Sequence, residues 1–237
     1  MPEIRIVVVG PKFEGNIGAI ARSMSNFDIS DLCLVNPCEI GEDARRRAKH
    51  GNDILDNAKI VNTLEEAVKD CFLVVGTSGI TTKGDKNYTR VPMPAREFAQ
   101  QVRGYREKIA ILFGREDTGL FQEELNLCDF LITVPTSNSY PVLNLSHAAP
   151  LVMYELFESH SVDRKSEPAD HREKELMYDF FADLLAAIDY PENRREATAI
   201  MFRKMMGRAI PTKYEFNTIM GVFGDSADII RNGKSWE

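Results

Sequence analysis

Short polar side chains follow several apolar runs of this chain, and one such stretch, residues 133–149, could form part of a ligand site. It begins as the end of an apolar strand, breaks at Pro135 and resumes at Leu143 with apolar residues at helical spacing. Asn144, at the start of that predicted helix, has two interpretations. Its side chain either accepts a hydrogen bond from a backbone amide as an N-cap, or forms with neighbouring amides the floor of a small-molecule site.

Glycine-containing loops follow other apolar runs and could lie at the same place. Residues 76–79, Gly-Thr-Ser-Gly, and residues 114–120, which begin Gly-Arg-Glu, each come directly after a predicted strand. Open parallel sheets bind ligands outside the carboxyl ends of their strands, so these loops and the one after Val134 are expected to converge on one edge. For residues 76–79 an ordinary Gly/Ser turn remains the alternative interpretation.

The elements that position these loops are short apolar runs that predict strands buried on both faces of a parallel sheet. The predicted strands are residues 4–9, 32–35, 60–61, 71–75 and 108–113, with a further strand ending at Val134. Helices are predicted from about residue 15, after the capping residue Thr63, from Pro94 to about Val102, and from about Leu143. The pattern predicts an α/β fold class.

The first predicted helix begins in a glycine-rich turn that invites comparison with two nucleotide-binding motifs. Gly10 and Gly15 have the spacing of P-loop glycines, but Asn16 and Ile17 occupy the positions that require Lys and Ser or Thr. The three glycines of a dinucleotide fingerprint are also absent. Both motifs are therefore rejected.

Composition limits the class of protein. At 237 residues the chain exceeds the usual single-domain length, and its 43% of hydrophobic residues suffices for a large core. The four cysteines show no C-x-x-C spacing, so neither a metal site nor a disulfide framework is predicted. No apolar signal region and no membrane-length apolar run occurs, which predicts a cytoplasmic protein with no membrane contact. A net charge of −7 disfavours general nucleic-acid binding unless basic residues cluster locally.

The character of the chain changes after Phe157. Residues 158–170 are polar and predict a linker, and three helices are expected beyond it, at about 171–188, 192–208 and 212–223. The predicted organisation is a domain at 1–160, a linker at 161–170 and a small all-α extension at 171–237. Basic residues cluster in the middle helix and at 45–47, where they form either a solvated face or an RNA-binding surface.

Three motifs occur in order along the larger predicted domain. They are Asn16-Ile-Gly18-Ala-Ile-Ala-Arg22, Phe113-Gly-Arg-Glu116-Asp-Thr-Gly119-Leu120 and Tyr140-Pro-Val-Leu143-Asn144-Leu145-Ser146. Together they resemble the motifs of SpoU/TrmJ-type tRNA 2′-O-ribose methyltransferases of the SPOUT superfamily. The linker and the helical extension resemble the TrmJ-type members of that family in particular.

The resemblance implies a parallel sheet with a C-terminal trefoil knot built from loops 114–120 and 134–146. It implies S-adenosylmethionine as the cofactor and a homodimer with the active site near the interface. Eight residues would line the cofactor pocket, largely through backbone groups: Thr77, Ser78, Gly79, Gly114, Val134, Pro141, Val142 and Leu143. Gly114 is expected to permit close approach of the cofactor to the backbone, with a positive φ angle as one possible reason.

The resemblance also implies the reaction, an in-line displacement in which a ribose 2′-hydroxyl attacks the sulfonium methyl group. Five residues would surround the reacting ribose: Arg22, Asn16, Glu116, Asn144 and Ser146. Arg22 is expected to clamp an RNA phosphate and stabilise alkoxide charge, because a guanidinium is a poor proton acceptor. Asn16 is expected to orient Arg22. Glu116 is expected to orient Arg22 or to fix its loop, and the alternative is a carboxylate that caps a helix.

The predicted substrate is tRNA, at the ribose of the first anticodon-loop nucleotide, position 32. Two alternatives stay open: a methyltransferase that acts on ribosomal RNA, and a non-catalytic knotted RNA-binding protein. Together, the five residues around the ribose argue against the second alternative. Contacts with RNA are predicted for Arg22, Arg45, Arg46, Arg47, Arg194, Arg195, Arg203 and Lys204.

Overall fold

The computed structural model of this chain describes residues 2–79, 92–160, 171–209 and 211–233. The chain divides into two compact units, Met1–Arg164 and Lys165–Glu237. The described part of the first unit is a sheet with helices, and that of the second is helical. The linker predicted at 161–170 lies outside the described residues.

The first unit is built on a parallel sheet, as its continuous apolar runs predict. Within the described residues the sheet has seven strands in the order β3-β2-β1-β6-β4-β7-β5, and every pairing is parallel. The strands are β1 Ile4–Val9, β2 Asp31–Val35, β3 Lys59–Val61, β4 Leu73–Thr77, β5 Met93–Pro94, β6 Ile109–Phe113 and β7 Phe130–Thr133. All residues of β1, β6 and β7 are buried. The predicted α/β class is confirmed.

Helices cover the sheet of the first unit. They are α1 Glu14–Asn26, α2 Glu42–Ala48, α3 Asn52–Asp56, α4 Leu64–Val68, α5 Ala95–Gln101, α6 Gln122–Asn126 and α7 Leu145–Glu158. Thr63 is the N-cap of α4, as predicted, and its hydroxyl accepts from the amide of Glu66 at 3.3 Å. Pro94 precedes α5 as its N-cap, whereas the sequence placed it in the first turn.

The close packing of α1 against α2 explains the glycine of the first motif. A Cβ on Gly18 would lie 2.1 Å from the carbonyl oxygen of Ala44 in α2, so no larger residue fits without moving the helices apart. Gly18 therefore fixes the distance between α2 and the helix that carries Asn16 and Arg22.

The amino ends of the strands are held by a buried ionic cluster around Arg5, a residue that the sequence interpretation passed over. Arg5 is 2% exposed, and its guanidinium contacts Asp31 at 2.9 Å and both carboxylate oxygens of Asp70 at 2.5 and 3.1 Å. Lys108 joins the cluster through Asp70 at 3.1 Å and Glu3 at 2.7 Å. The hydrogen bonds from Arg5 hold the pKa of Asp70 well below its usual range.

The cysteines behave as small apolar residues. All four are free, and Cys33 and Cys71 are buried as predicted. Burial raises the pKa of the Cys71 thiol to about 12, so this group is a neutral thiol at physiological pH.

The second unit contains three helices within its described residues: α8 His171–Ala187, α9 Glu192–Ala209 and α10 Lys213–Asn232. Their number confirms the prediction, but α10 continues well beyond residue 223. In the structure Gly224 is a packing site, where a Cβ would lie 2.8 Å from the ring of Phe180 in α8. In the described part of the chain, no helix is long and apolar enough to cross a membrane.

Candidate active site

A pocket lies at the carboxyl ends of β4, β6 and β7, the edge that the sequence predicted. The eight residues predicted to contact the cofactor all line it: Thr77, Ser78, Gly79, Gly114, Val134, Pro141, Val142 and Leu143. Its volume is about 200 Å³. The sequence interpretation missed the wall that α7 supplies through Leu145, Ala148 and Val152. Their i, i+3, i+7 spacing was the available signal.

The loop after β4 is tied to both neighbouring strands. Thr77 donates its hydroxyl hydrogen to the carbonyl of Leu112 in β6 at 2.9 Å, and the amide of Ser78 donates to Ile132 in β7 at 2.9 Å. These bonds hold the loop at the strand ends. The ordinary-turn interpretation of residues 76–79 does not explain their place in the pocket wall.

Loop 114–120 closes on itself. The backbone groups of Arg115 and Gly119 exchange hydrogen bonds at 3.1 and 2.9 Å, and Gly119 has a φ angle of +66°. A Cβ on Gly114 would lie 2.1 Å from the carbonyl carbon of Gly119. The positive φ angle considered for Gly114 is therefore found at Gly119 instead, and Gly114 is required by the loop's own backbone rather than by a ligand alone.

A second, larger cavity of about 840 Å³ adjoins the pocket and shares Glu116, Val142 and Leu143 with it. It is an open polar cleft, and three of the five predicted catalytic residues line it: Asn16, Glu116 and Asn144. Its other walls carry Lys12, Phe13, Glu14, Gly15, Asp43, Arg47, Tyr140 and His147.

Glu116 joins its loop to the start of α1. Its carboxylate accepts from the side-chain amide of Asn16 at 2.8 Å and from the backbone amides of Lys12 and Phe13 at 3.1 and 3.4 Å. Burial alone would raise the pKa of Glu116, but these hydrogen bonds outweigh it and the pKa is lowered. Glu116 therefore caps the start of α1, as the helix-capping alternative predicted.

Arg22 stands apart from the other predicted catalytic residues. It lies six residues after Asn16 on α1, about 9 Å further along the helix axis, and it does not line the cleft. Its side chain is exposed and makes no hydrogen bond or ion pair with any other described residue. Within one chain Asn16 and Glu116 bond to each other and not to Arg22, so their orientation of Arg22 stays a prediction.

Asn144 and Ser146 lie at the start of α7. Asn144 is the N-cap residue by position, but its side chain accepts no capping hydrogen bond. Its amide nitrogen instead lies 3.4 Å from the hydroxyl oxygen of Ser146. The capping interpretation of Asn144 is therefore wrong, and its exposed amide is left facing the cleft.

The arginines of α2 are exposed, and each pairs with a carboxylate. Arg45 contacts Asp56 at 2.8 Å, Arg47 contacts Asp43 at 2.9 Å, and Arg46 also contacts Asp43. Exposed ion pairs contribute about 0–1 kcal/mol, so these arginines stay available to a phosphate. Only Arg47 among them lines the cleft.

The basic residues of α9 divide into two groups. Arg194 and Arg195 lie near the start of the helix, and Arg195 donates to the carbonyl of Tyr190 at 2.6 Å. Arg203 donates to both carboxylate oxygens of Glu175, and Lys204 is 4% exposed. A buried ammonium cannot reach a phosphate, so the prediction that Lys204 contacts RNA is wrong. Arg203 is likewise engaged within the helical unit.

Fold and site together define an α/β protein with a pocket at the carboxyl ends of its strands and a larger open cleft beside it. The chain belongs to the SpoU rRNA Methylase family, whose family model matches residues 3–154. The resemblance drawn from the three motifs is thereby confirmed.

Individual relatives extend the similarity over nearly the whole chain. The tRNA (cytidine-2′-O-)-methyltransferase TrmJ of Methanocaldococcus jannaschii is 38% identical and aligns over 93% of this chain and 98% of its own length. The tRNA (cytidine/uridine/adenosine-2′-O-)-methyltransferase TrmJ of Pseudomonas aeruginosa is 33% identical and aligns over 98% of this chain and 96% of its own length. The crystal structure of TrmJ from Z. mobilis superposes with a TM-score of 0.70 at 29% identity, covering 95% of this chain and 98% of the other.

Proposed function

We propose that this protein transfers the methyl group of S-adenosylmethionine to a ribose 2′-hydroxyl of tRNA, at the first nucleotide of the anticodon loop, position 32. The observation that carries the proposal is the shared wall of pocket and cleft, formed by Glu116, Val142 and Leu143. Because the two cavities adjoin at these residues, a methyl donor bound in the pocket would lie next to an RNA bound in the cleft. Relatives that match almost their full length are named tRNA 2′-O-methyltransferases, which favours tRNA over ribosomal RNA.

The residues present in the pocket fit S-adenosylmethionine. The pocket combines apolar side chains from β7 and α7 with loop backbone at the carboxyl ends of parallel strands, a setting that suits an adenosine group. The eight lining residues named above would hold it. When bound, S-adenosylmethionine supplies an electrophilic methyl group.

The cleft residues position the ribose. Ionised Glu116 holds the side-chain amide of Asn16 and the first turn of α1 in place. The amide of Asn144 lies beside Ser146 on the opposite wall and would hydrogen-bond to the substrate. Arg22 would clamp a phosphate and stabilise the charge that develops on the attacking oxygen.

We assign the protein a homodimeric state in which Arg22 completes the cleft of a second subunit. Arg22 is exposed, lies off its own cleft and pairs with no described residue. The helix that carries it packs against α7. On α7, Leu151 and Tyr154 are 43% and 46% exposed, which suits an interface between subunits.

The remaining assignments concern topology and location. A trefoil knot is supported by loop 114–120, which closes on itself beside Val142 and Leu143 of the later segment. The helical extension is assigned to tRNA binding through Arg194 and Arg195 on α9, with Arg45, Arg46 and Arg47 contacting RNA from the first unit. A cytoplasmic location follows from the tRNA substrate.

The decisive experiment is methyl transfer from labelled S-adenosylmethionine to bulk tRNA and, separately, to ribosomal RNA, followed by nuclease digestion to locate the 2′-O-methyl group. The expected result is label in tRNA at position 32. Label in ribosomal RNA alone would replace the proposal with the ribosomal alternative. Binding of RNA and cofactor without any transfer would leave a non-catalytic binding protein.

A further inference from the structure

Phe13 lines the cleft and departs from two residue preferences, one for helix N-caps and one for the burial of aromatic side chains. It is the N-cap residue of α1, a position that favours Ser, Thr, Asp or Asn because their side chains accept a backbone hydrogen bond. It is also a large aromatic side chain that is 62% exposed. Such departures from local preference are expected mainly at functional sites.

The backbone at Phe13 is held by a distant loop and by the first turn of α1 instead of by a capping side chain. Glu116 accepts from the backbone amides of Lys12 and Phe13, and the carbonyl of Phe13 accepts from the amide of Asn16 at 3.0 Å. The backbone of Phe13 is therefore fixed at both its amide and its carbonyl, while its side chain makes no capping hydrogen bond. A fixed backbone that presents an exposed ring is a preorganised contact.

A second exposed aromatic N-cap in the same unit shows what a structural role looks like. Phe121, the N-cap of α6, lies under the guanidinium of Arg115 at 3.9 Å from the ring centroid. Among the residues that the structure describes, the ring of Phe13 has no aromatic or cationic partner. It lines the cleft beside Asn16 and Glu116 instead.

We propose that the ring of Phe13 stacks on the base of the nucleotide that is methylated and so positions its ribose. This inference rests on the proposed function. Proteins recognise bases in RNA loops by stacking them on aromatic side chains, which leaves the ribose free for other contacts. Asn16 and Asn144 line the same cleft and would contact the ribose when the base lies on Phe13.

The test compares Phe13→Leu, Phe13→Tyr and Phe13→Trp with wild-type protein on an anticodon stem–loop RNA. Loss of stacking in Phe13→Leu is expected to raise KM for RNA about tenfold, with S-adenosylmethionine affinity unchanged. Phe13→Tyr and Phe13→Trp, which keep a π-face, should stay within about threefold of wild type. Ile60→Ala is the matched control, because Ile60 is 61% exposed and lies on β3, outside the cleft.

A double-mutant cycle with the RNA isolates the stacked base. Binding of wild type and Phe13→Leu is measured on RNA that carries an abasic ribose at the mapped methylation position. If Phe13 stacks on this base, the difference between the two proteins disappears on the abasic RNA. A difference that persists there overturns the inference, as does wild-type behaviour of Phe13→Leu, or a change in oligomeric state of that variant in sedimentation. Wild-type protein that transfers no methyl group to RNA would instead refute the proposed function.

Discussion

The two ends of the same parallel sheet use charged residues in opposite ways. At the amino ends, Arg5 is 2% exposed and all its partners belong to the chain itself. At the carboxyl ends, Glu116 uses its charge to shape a cleft, and Arg22, further along the helix α1 that starts there, is exposed and pairs with no described residue. Charges satisfied within the chain stabilise the fold, whereas charges left open are available to a substrate. Substitutions at the two ends should therefore separate stability from activity.

Arg22→Ala should give the largest effect, on activity alone. We expect methyl transfer to fall about a thousandfold, or roughly 4 kcal/mol of transition-state stabilisation, because the phosphate and the developing charge lose their cation. Cofactor affinity should stay within a few-fold, and the free energy of unfolding within about 0.5 kcal/mol. Single-turnover kinetics and calorimetry on one preparation measure these quantities, with Arg106→Ala, at an exposed arginine that lines neither cavity, as the control. Substantial residual turnover would remove Arg22 from its role.

Arg5→Met should give the opposite result, a loss of stability without loss of function. Removal of the buried guanidinium leaves Asp31 and Asp70 facing each other, which should lower the free energy of unfolding by about 3 kcal/mol. Urea unfolding followed by circular dichroism measures this. Arg46→Met, which breaks only an exposed pair, should change stability by less than about 0.5 kcal/mol. Equal effects of the two substitutions would mean that the cluster around Arg5 does not stabilise the sheet.

Glu116→Gln tests whether charge at the carboxyl end serves geometry rather than proton transfer. We expect kcat to fall about tenfold because a glutamine amide cannot accept all three hydrogen bonds of the carboxylate. Since burial raises the pKa of Glu116 less than its hydrogen bonds lower it, the carboxylate stays ionised throughout pH 5 to 8. Rate profiles of wild type and variant over that range should therefore have the same shape. A limb that disappears in the variant would identify Glu116 as a proton acceptor.

Asp70→Asn should give the smallest effect and a pH dependence of known sign. The hydrogen bonds from Arg5 lower the pKa of Asp70 in the folded chain, so its ionised form stabilises the protein above the unfolded pKa of about 3.9. That contribution is lost as the pH falls through the lower native value. Because the carboxylate is half-exposed, we expect only about 1 kcal/mol at pH 7. The urea midpoints of wild type and variant are measured at pH 7 and at pH 2.5, and their difference should be smaller at pH 2.5. The same difference at both pH values would contradict the prediction.

Local pattern was sufficient for much of the fold. Continuous apolar runs predicted the buried parallel strands, because a strand covered on both faces has no polar side to alternate with. Three motifs in order predicted the family, and the strand-end rule predicted where the loops meet. All eight residues expected around the cofactor line one pocket, since loops after parallel strands must emerge at the same edge.

Local sequence patterns could not predict which side chains distant in the sequence bond to each other. Asn16 bonds to Glu116 across one hundred residues, so only the fold could show that these groups hold each other rather than Arg22. The same holds for Lys204, which helical spacing placed among solvated basic residues and which the helical unit buries.

Residue type, spacing and motif order were enough to predict most of the strands, the sheet class and the family, but not the short elements α2, α3, β5 and α6. The tertiary structure alone decided which charges are satisfied and which are open, because that depends on neighbours distant in the chain. A motif singled out Arg22 in the sequence, but no local pattern named the partners that satisfy the charge of Arg5. Burial among Asp31 and Asp70 makes Arg5 a structural residue, whereas exposure and the absence of a partner among the described residues leave Arg22 to the substrate.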